Sequence, residues 1–273
     1  MEESSPEQFS PHDLVPILTA VRIEDDAFVV GGQAFNLWAE RYRHCSPELR
    51  DAAPYTSKDL DYFGRRELGV KLAAILGGEV IFPDMDEATP STAMVRASVN
   101  GRTILIDILG SILGQTERLE REAVEIVFKT SAGDVIVPVM DPVSCLQSQI
   151  GNWLSPATSR RDAIQKARIS AAVVIAREYI RELFSKGSRR DAARCIKDVL
   201  WYARRDHFGK TAYLDTPSDP LDAIRCFVDD ANLDERYRLF IQNRIDRIGM
   251  FRTGLSERRK QLMQRLKQET IQR

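Results

Sequence analysis

Two aspartates separated by a single residue have the spacing of a metal-binding pair. Asp59 and Asp61 lie in the stretch Ser57-Lys-Asp-Leu-Asp-Tyr-Phe63, which alternates polar and apolar residues as a half-buried strand does. Side chains two residues apart on a strand point to the same face, so the carboxylates should lie side by side. Adjacent carboxylates repel unless a cation lies between them, and Mg²⁺ prefers such oxygen ligands. The alternative is a strand edge whose carboxylates are simply solvated.

A third aspartate, Asp107, interrupts the apolar stretch Arg102-Thr-Ile-Leu-Ile-Asp-Ile-Leu109. A lone carboxylate in a buried strand costs free energy unless it has a partner or a metal ion. The pattern therefore indicates a site residue. A salt bridge to a nearby arginine is the alternative.

A pair of glycines, Gly31 and Gly32, joins the apolar strand predicted over 27–30 to a helix predicted from about 34 to 42. Glycine lets the backbone approach a ligand closely, and a helix N-terminus offers free N–H groups to anions. The pair is therefore a candidate phosphate-binding turn. The simpler alternative is a tight turn that binds nothing.

The elements that would position these residues change in kind after Pro142. Before it, the sequence predicts a short helix over 11–22, a helix over 65–76, and strands that include two hairpins. The first hairpin turns at Asn100-Gly101, a strong two-residue turn signal. After Pro142, helical patterns cover 143–154, 160–184, 188–206, 219–230, 233–248 and 255–271.

The predicted fold is an α/β (α+β) domain with a mixed β-sheet over 11–142, followed by an all-helical domain over 143–273. Residues 1–10 are predicted to be a disordered tail. Charge divides in a similar way, because residues 1–150 hold 13 Lys and Arg against 24 Asp and Glu, whereas residues 151–273 hold 26 against 16. An acidic metal-binding half and a basic half that holds phosphates or RNA would explain this division. Solvated helix faces are the alternative.

Other kinds of chemistry find little support. The four cysteines lie far apart without a CxxC pair, and the three histidines lack metal-ligand spacing, which argues against a zinc site or a disulfide scaffold. The polar, acidic start is unlike a signal peptide, and the longest apolar helical stretch is too short to span a bilayer. The sequence also lacks the glycine-rich phosphate loop, the dinucleotide fingerprint and the serine nucleophile elbow. We therefore expect a cytoplasmic protein whose metal ligands are carboxylates and which does not insert into a membrane.

Together, the glycine turn, the paired aspartates and the later single aspartate resemble the polymerase-β-like nucleotidyltransferase superfamily. More narrowly, they are similar to the bacterial branch that includes the AbiEii and MenA-type toxins. The matching stretches are Val29-Val-Gly-Gly-Gln-Ala-Phe35 and Ser57-Lys-Asp-Leu-Asp61. By its motifs the resemblance covers about residues 27–110.

The resemblance implies a nucleotidyltransferase fold and the transfer of a nucleoside monophosphate from an NTP to a hydroxyl of RNA, protein or a small molecule. It also implies a toxin of a toxin–antitoxin or phage-defence system, with RNA or tRNA and an antitoxin protein as partners. Two Mg²⁺ ions would be bound by the catalytic residues Asp59, Asp61 and Asp107. The nucleotide would be held by Gly31, Gly32, Gln33, Ser57, Lys58, Arg161 and Asp162.

One departure from the toxin-like branch concerns triphosphate binding. That branch carries a lysine on the helix after the core, and the matching position here is Gln149. Lys58, Arg160 and Lys166 are candidate replacements. The departure motivates a second hypothesis, a catalytically silent protein of this fold that binds a nucleotide or a partner.

Overall fold

The structure is a computed structural model that describes residues 8–51, 53–84, 86, 88–112, 123–131, 133–156 and 161–271. The chain divides into two compact units, Met1–Tyr179 and Ile180–Arg273. The predicted boundary between residues 142 and 143 falls inside the first unit, because the helix that follows residue 142 packs against the helix that follows the glycine pair. The functional division into a catalytic and a helical domain stays a prediction.

The first unit is built on a mixed β-sheet. Its strands are β1 Phe28–Val30, β2 Leu60–Phe63, β3 Glu79–Ile81, β4 Ser91–Val99, β5 Arg102–Leu109, β6 Ala123–Thr130 and β7 Gly133–Met140. Within the described residues these seven strands form one sheet in the order β3-β4-β5-β2-β1-β7-β6. The β2–β5 and β1–β7 pairs are parallel, and the other pairs are antiparallel. The predicted mixed sheet is thereby confirmed.

In the first unit, helices pack beside the sheet. In the second unit, the regular structure of the described residues consists of helices alone. The helices are α1 Val15–Leu18, α2 Gly31–Tyr42, α3 Pro47–Asp51, α4 Arg66–Leu76, α5 Pro142–Leu154, α6 Ala163–Ser185, α7 Arg189–Arg205, α8 Gly209–Asp215, α9 Asp222–Arg225 and α10 Glu235–Ile271. All the regular structure described after β7 is helical, as predicted. Among the described residues, no helix has both the length and the apolar character needed to cross a bilayer.

Several predicted elements differ in extent. The predicted loop over 45–57 contains α3, and α8 lies between two of the predicted helices. The helices predicted over 233–248 and 255–271 are one continuous helix, α10. Gly249 and Gly254 do not interrupt it, since a glycine inside a helix costs only about 1 kcal/mol relative to alanine.

The start of the described chain belongs to the fold. Phe9 is 1% exposed, and its backbone exchanges hydrogen bonds with Ser57, with N–O distances of 2.8 and 3.0 Å. The prediction of a disordered tail over 1–10 is therefore wrong for residues 8–10, and residues 1–7 lie outside the described part. An isolated phenylalanine in a polar segment shows no periodicity from which its burial could be predicted.

Strands β2 and β5, which carry Asp61 and Asp107, each have one face in the core. Leu60 and Tyr62 of β2 are 0% exposed, and Ile106 and Ile108 of β5 are likewise fully buried. The intervening residues, Asp61 and Asp107, therefore lie on the opposite, partly open face of the sheet.

Candidate functional site

The parallel pairing of β2 with β5 brings two of the predicted aspartates together. Asp61 and Asp107 are direct partners in the register of these strands, and neighbouring strands lie about 4.8 Å apart. Their side chains therefore leave the same face of the sheet as neighbours. Asp59 lies immediately before β2, and its charge acts on both of the other carboxylates.

Asp59, Asp61 and Asp107 form an acidic group whose negative charges repel one another. Burial, followed by the charges of Asp59 and Asp107, raises the pKa of Asp61 to about 7, although the N–H of Gly32 opposes this by donating to the carboxylate. Burial also raises the pKa of Asp107, and the charge of Asp59 adds to it. Asp61 therefore keeps its proton to a higher pH than an exposed aspartate does, unless a cation compensates the negative charges.

Each carboxylate is held by its own hydrogen-bond donor. Ser57 Oγ donates to Asp59 Oδ1 at 3.0 Å, and Ser91 Oγ donates to Asp107 Oδ1. Among the described residues, no three or more His, Cys, Asp or Glu side chains are arranged to enclose a metal ion. The all-oxygen donor set and its repulsion suit Mg²⁺, and a carboxylate that accepts one serine hydroxyl keeps further acceptor positions for a metal ion.

The glycine pair forms the first turn of α2, closer to the aspartates than the predicted helix start at residue 34 implies. Gly31 has φ +61°, a backbone conformation that costs other L-residues about 1–2 kcal/mol. A Cβ atom on Gly31 would overlap the carboxylate of Asp61, and one on Gly32 would lie 2.7 Å from Ser57 Oγ. Glycine is therefore needed at both positions to bring the helix N-terminus against the acidic group.

A cavity of about 710 Å³ opens beside this turn. Its volume falls within the range of about 300–1,000 Å³ that is common for small-molecule sites. Its polar wall includes Gly32, Ser57, Lys58, Asp59, Asp162 and Arg168, and Phe35 and Tyr55 contribute to its apolar wall. Three of the predicted nucleotide-binding side chains, those of Ser57, Lys58 and Asp162, thus line one cavity together with Gly32.

Helix α6 places a further basic residue, Arg168, in this cavity, and no sequence motif had marked it. Its Nη2 donates to the carbonyl of Thr56 at 2.8 Å, and its guanidinium lies 5.6 Å from the ring centroid of Phe35. Burial lowers the pKa of Arg168, whereas the charges of Asp59 and Asp162 oppose this. The cavity thus has two basic residues in its lining, Lys58, which was a candidate from the sequence, and Arg168, which was not.

A signal for Arg168 does exist in the sequence. It precedes Ala172 and Ile175 by four and seven residues, so all three share one face of α6. Ala172 and Ile175 are 0% exposed. An arginine on the apolar face of a helix needs a partner or a ligand, and this pattern could have marked it.

Other predicted residues lie elsewhere. Gln33 is 1% exposed; its Nε2 donates to the carbonyl of Phe9 at 3.0 Å, and its Oε1 accepts from Asn36 at 3.1 Å. Arg161 is exposed and donates to the carbonyl of Trp153 at 3.4 Å. Neither residue lines the cavity, so the structure does not bring them to the predicted nucleotide site.

Two further residues have structural partners. Asp162 caps the N-terminus of α6 by accepting from the N–H of Gln165 at 2.7 Å, which orients it at the cavity wall. Gln149 is buried and accepts from Gln165 Nε2 at 2.9 Å, so it joins α5 to α6 rather than facing the cavity. Lys166 is exposed outside the cavity lining, and Arg160 lies outside the described residues.

Comparisons with known proteins find only distant likeness. No protein-family model and no curated protein matches the chain. One similar solved structure is an antigenic nucleotidyltransferase-like protein from Paracoccidioides brasiliensis, with a TM-score of 0.39 and 10% identity over 69% of this chain and 95% of that chain. Another is JHP933 from Helicobacter pylori, with a TM-score of 0.36 and 15% identity over 92% of this chain and 95% of that chain. At these TM-scores the likeness decides nothing about function.

Proposed function

We propose that the protein is a metal-dependent nucleotidyltransferase that moves a nucleoside monophosphate from an NTP to an acceptor hydroxyl. The observation that carries this proposal is the register pairing of Asp61 with Asp107 beside Asp59, with the N-terminus of α2 against the same carboxylates. A metal–triphosphate complex needs both acidic oxygen ligands and anion-binding N–H groups. Asp59 and Gly32 line the same cavity, whereas Asp61 and Asp107 are not among its lining residues.

The residues have distinct roles in this proposal. Asp59, Asp61 and Asp107 would hold two Mg²⁺ ions, which stabilise the charges of the entering and leaving oxygens. The N–H groups at the start of α2 would bind phosphate oxygens, apart from that of Gly32, which donates to the carboxylate of Asp61. Arg168 and Lys58 add positive charge at the cavity wall. Phe35 and Tyr55 are only 1% and 8% exposed, so they support this wall from below.

In the reaction, the acceptor oxygen forms a bond to the α-phosphorus while the bond from that phosphorus to pyrophosphate breaks. The hydroxyl proton passes to the carboxylate of Asp107. Pyrophosphate leaves with the electron pair of the broken bond.

A second candidate is a protein of this architecture that binds a nucleotide without transferring it. The observation that favours it is that Gln149 stands where the toxin-like branch has a lysine, and that it is buried and bonded to Gln165 at 2.9 Å. We also propose, from the resemblance, that the protein is a toxin with an antitoxin partner. A cytoplasmic location is proposed from the sequence.

Calorimetry can test the proposed function. Wild type is expected to bind NTP with Mg²⁺ and to bind it much more weakly with EDTA, whereas an Asp59→Ala/Asp61→Ala variant should lose the metal dependence. Incubation with α-labelled NTP and candidate acceptors should then give labelled product with wild type alone. Metal-independent binding by both proteins, without label transfer, would establish the silent alternative.

Arg168→Ala is expected to weaken Mg²⁺–NTP binding by about 10- to 100-fold, which is the loss of one or two charge-assisted hydrogen bonds. Arg168→Lys should recover part of the affinity, because it keeps the charge but not the planar fork. Lys166→Ala, on the same helix but outside the cavity, is the matched control and should bind like wild type. Equal affinities of the Arg168→Ala and Lys166→Ala variants would remove Arg168 from the site.

A further inference from the structure

A second cavity lies within the second unit alone. Its volume is about 570 Å³, which is in the range that is common for small-molecule sites. The end of α6, the start of α7, the segment between α9 and α10, and the first turn of α10 border it. Every lining residue falls within 181–237, a range that the structure describes without a gap. The walls of this second cavity thus come from one compact unit.

One wall of the second cavity is apolar and well supported. Phe184, Leu233 and Tyr237 line it, and all three are half-buried. The rings of Phe184 and Tyr237 meet edge to face, with centroids 5.8 Å apart and an interplanar angle of 76°. Behind them, Phe227 is 1% exposed and lies 5.6 Å from the ring of Phe184. Such a wall offers a fixed surface to a flat apolar group.

Three arginines from three different helices line the same cavity. They are Arg181 of α6, Arg189 of α7 and Arg236 of α10. Arg181 Nη2 is directed to Cys226 Sγ at 3.9 Å, whereas the side chains of Arg189 and Arg236 form no ion pair with another described residue. A guanidinium group matches the oxygens of a carboxylate or a phosphate. The cavity therefore has cationic groups available for an oxyanion.

The two aspartates in the lining are already engaged in local hydrogen bonds. Asp230 Oδ1 accepts from the N–H of Asn232 at 2.9 Å and from its side-chain amide at 3.1 Å. Asp234 Oδ1 accepts from the N–H of Arg236 at 2.8 Å, at the start of α10. Since three guanidinium groups line the same cavity, the lining has an excess of positive charge and attracts anions.

A divalent cation fits this cavity less well. The spacing of Asp230, Asn232 and Asp234 does offer oxygen ligands of the kind that Ca²⁺ uses. The three arginines repel a cation, however, and among the described residues no three or more His, Cys, Asp or Glu side chains are arranged to hold a metal ion. An anion is therefore the favoured occupant.

We propose that the second cavity binds a small organic oxyanion, a carboxylate or a phosphate monoester carried on a flat apolar body. The arginines would bind the oxyanion, and the wall of Phe184, Leu233 and Tyr237 would hold the flat body. No residue of the first unit lines this cavity. The inference therefore goes beyond the proposed function and does not rest on it.

Fluorescence titrations of the full-length protein with naphthalene compounds test the ligand class. Wild type is expected to bind naphthoate or naphthyl phosphate at least about 10-fold more tightly than the neutral naphthalenemethanol, because charge-assisted hydrogen bonds are lost with the anion. The tighter of the two anions identifies the head group. Inorganic phosphate, measured by displacement of the bound anion, should bind at least about 10-fold more weakly, since it lacks the apolar body.

Variants of the lining test the location. Arg189→Ala/Arg236→Ala is expected to bind the tighter naphthalene anion about 10- to 100-fold more weakly. Leu233→Asn should weaken it by about 10-fold through the loss of apolar surface. The matched control, Arg190→Ala/Arg247→Ala, removes exposed arginines of the same two helices from outside the lining and should bind within about twofold of wild type. Urea unfolding verifies that each variant folds.

The outcomes also separate this inference from the proposed transfer. The Asp59→Ala/Asp61→Ala variant should bind the naphthalene anion as wild type does, even if NTP binding proves absent in both. Weaker binding by that variant would place the anion at the acidic group and overturn the inference. Equal losses in the two arginine pairs would overturn it too, as would a wild type that binds neither anion. Tighter binding of naphthalenemethanol or of the cation naphthylmethylamine, or displacement of the anion by Ca²⁺, contradicts the ligand class.

Discussion

Asp61→Asn is expected to abolish nucleotidyl transfer and, in the absence of metal, to make the protein more stable than wild type at neutral pH. Transfer should fall by at least about 100-fold, as when one preorganised electrostatic group is removed from an active site. The gain in stability has a separate cause: asparagine fills the same space beside Asp59 and Asp107 without adding a third negative charge. Transfer of α-labelled NTP and urea unfolding in EDTA measure the two effects.

The pH dependence of stability follows from the direction of the pKa shift. The pKa of Asp61 is raised from 3.8 to about 7, so between these values the unfolded chain loses its proton while the folded protein keeps it. The metal-free wild type should therefore become less stable as pH rises from about 4 to 7, by up to about 4 kcal/mol in free energy of unfolding. Above pH 7 both states are ionised, and the loss should level off.

The Asp61→Asn variant should show a flatter profile over this range. Asp134→Asn, at an exposed position near the β6–β7 turn, is the matched control and should keep the profile of wild type. At pH 8, Mg²⁺ should reduce the difference in free energy of unfolding between wild type and the Asp61→Asn variant, because it compensates the charge of Asp61 in wild type. If Asp61→Asn and Asp134→Asn showed the same profile, the acidic group would not be electrostatically coupled as described.

Gly31→Ala is expected to lower the free energy of unfolding by about 3 kcal/mol and to abolish metal-dependent NTP binding. Part of the loss comes from the left-handed backbone, since Gly31 has φ +61°. The rest comes from the overlap between the new Cβ and the carboxylate of Asp61. Relief of that overlap would push α2 away from β2, and the phosphate-binding N–H groups would move with it.

Gly77→Ala separates these two causes. Gly77 has a nearly identical φ of +63° at the end of α4, and a Cβ there would meet nothing within 4 Å. The Gly77→Ala variant should therefore lose only about 1–2 kcal/mol in free energy of unfolding. Adding Gly31→Ala to an Asp61→Ala background should also cost less than adding it to wild type, because the overlapping carboxylate is gone. Equal losses for Gly31→Ala and Gly77→Ala would show that the contact with Asp61 carries no energy.

Local features of the sequence were sufficient to predict much of the first unit. Asn100-Gly101 predicts a hairpin, and both residues have the positive φ that a two-residue turn requires, +54° and +78°. Period-two alternation around Asp61 predicts that Leu60 and Tyr62 are buried, as they are. These predictions succeed because turn conformation and the two faces of a strand depend on neighbouring residues.

Helix ends in the second unit were harder to predict. Gly249 and Gly254 suggest a break, yet α10 continues through both. Tertiary contacts hold the helix between and beyond these glycines, since Arg252 Nη1 donates to Asp219 at 2.6 Å and Ser256 Oγ lies 2.9 Å from Tyr213 Oη. Local propensity was therefore overruled by packing that the sequence pattern does not display.

The sequence by itself determined which chemistry was available: the glycine pair, the closely spaced Asp59 and Asp61, and the later aspartate in an apolar strand. Only the tertiary structure decided how they meet. The parallel β2–β5 register places Asp61 beside Asp107, and α6 brings Arg168 to a cavity that Gln149 does not reach. Register and helix packing join residues more than 40 positions apart in the chain, and their energies depend on surfaces that no local pattern encodes.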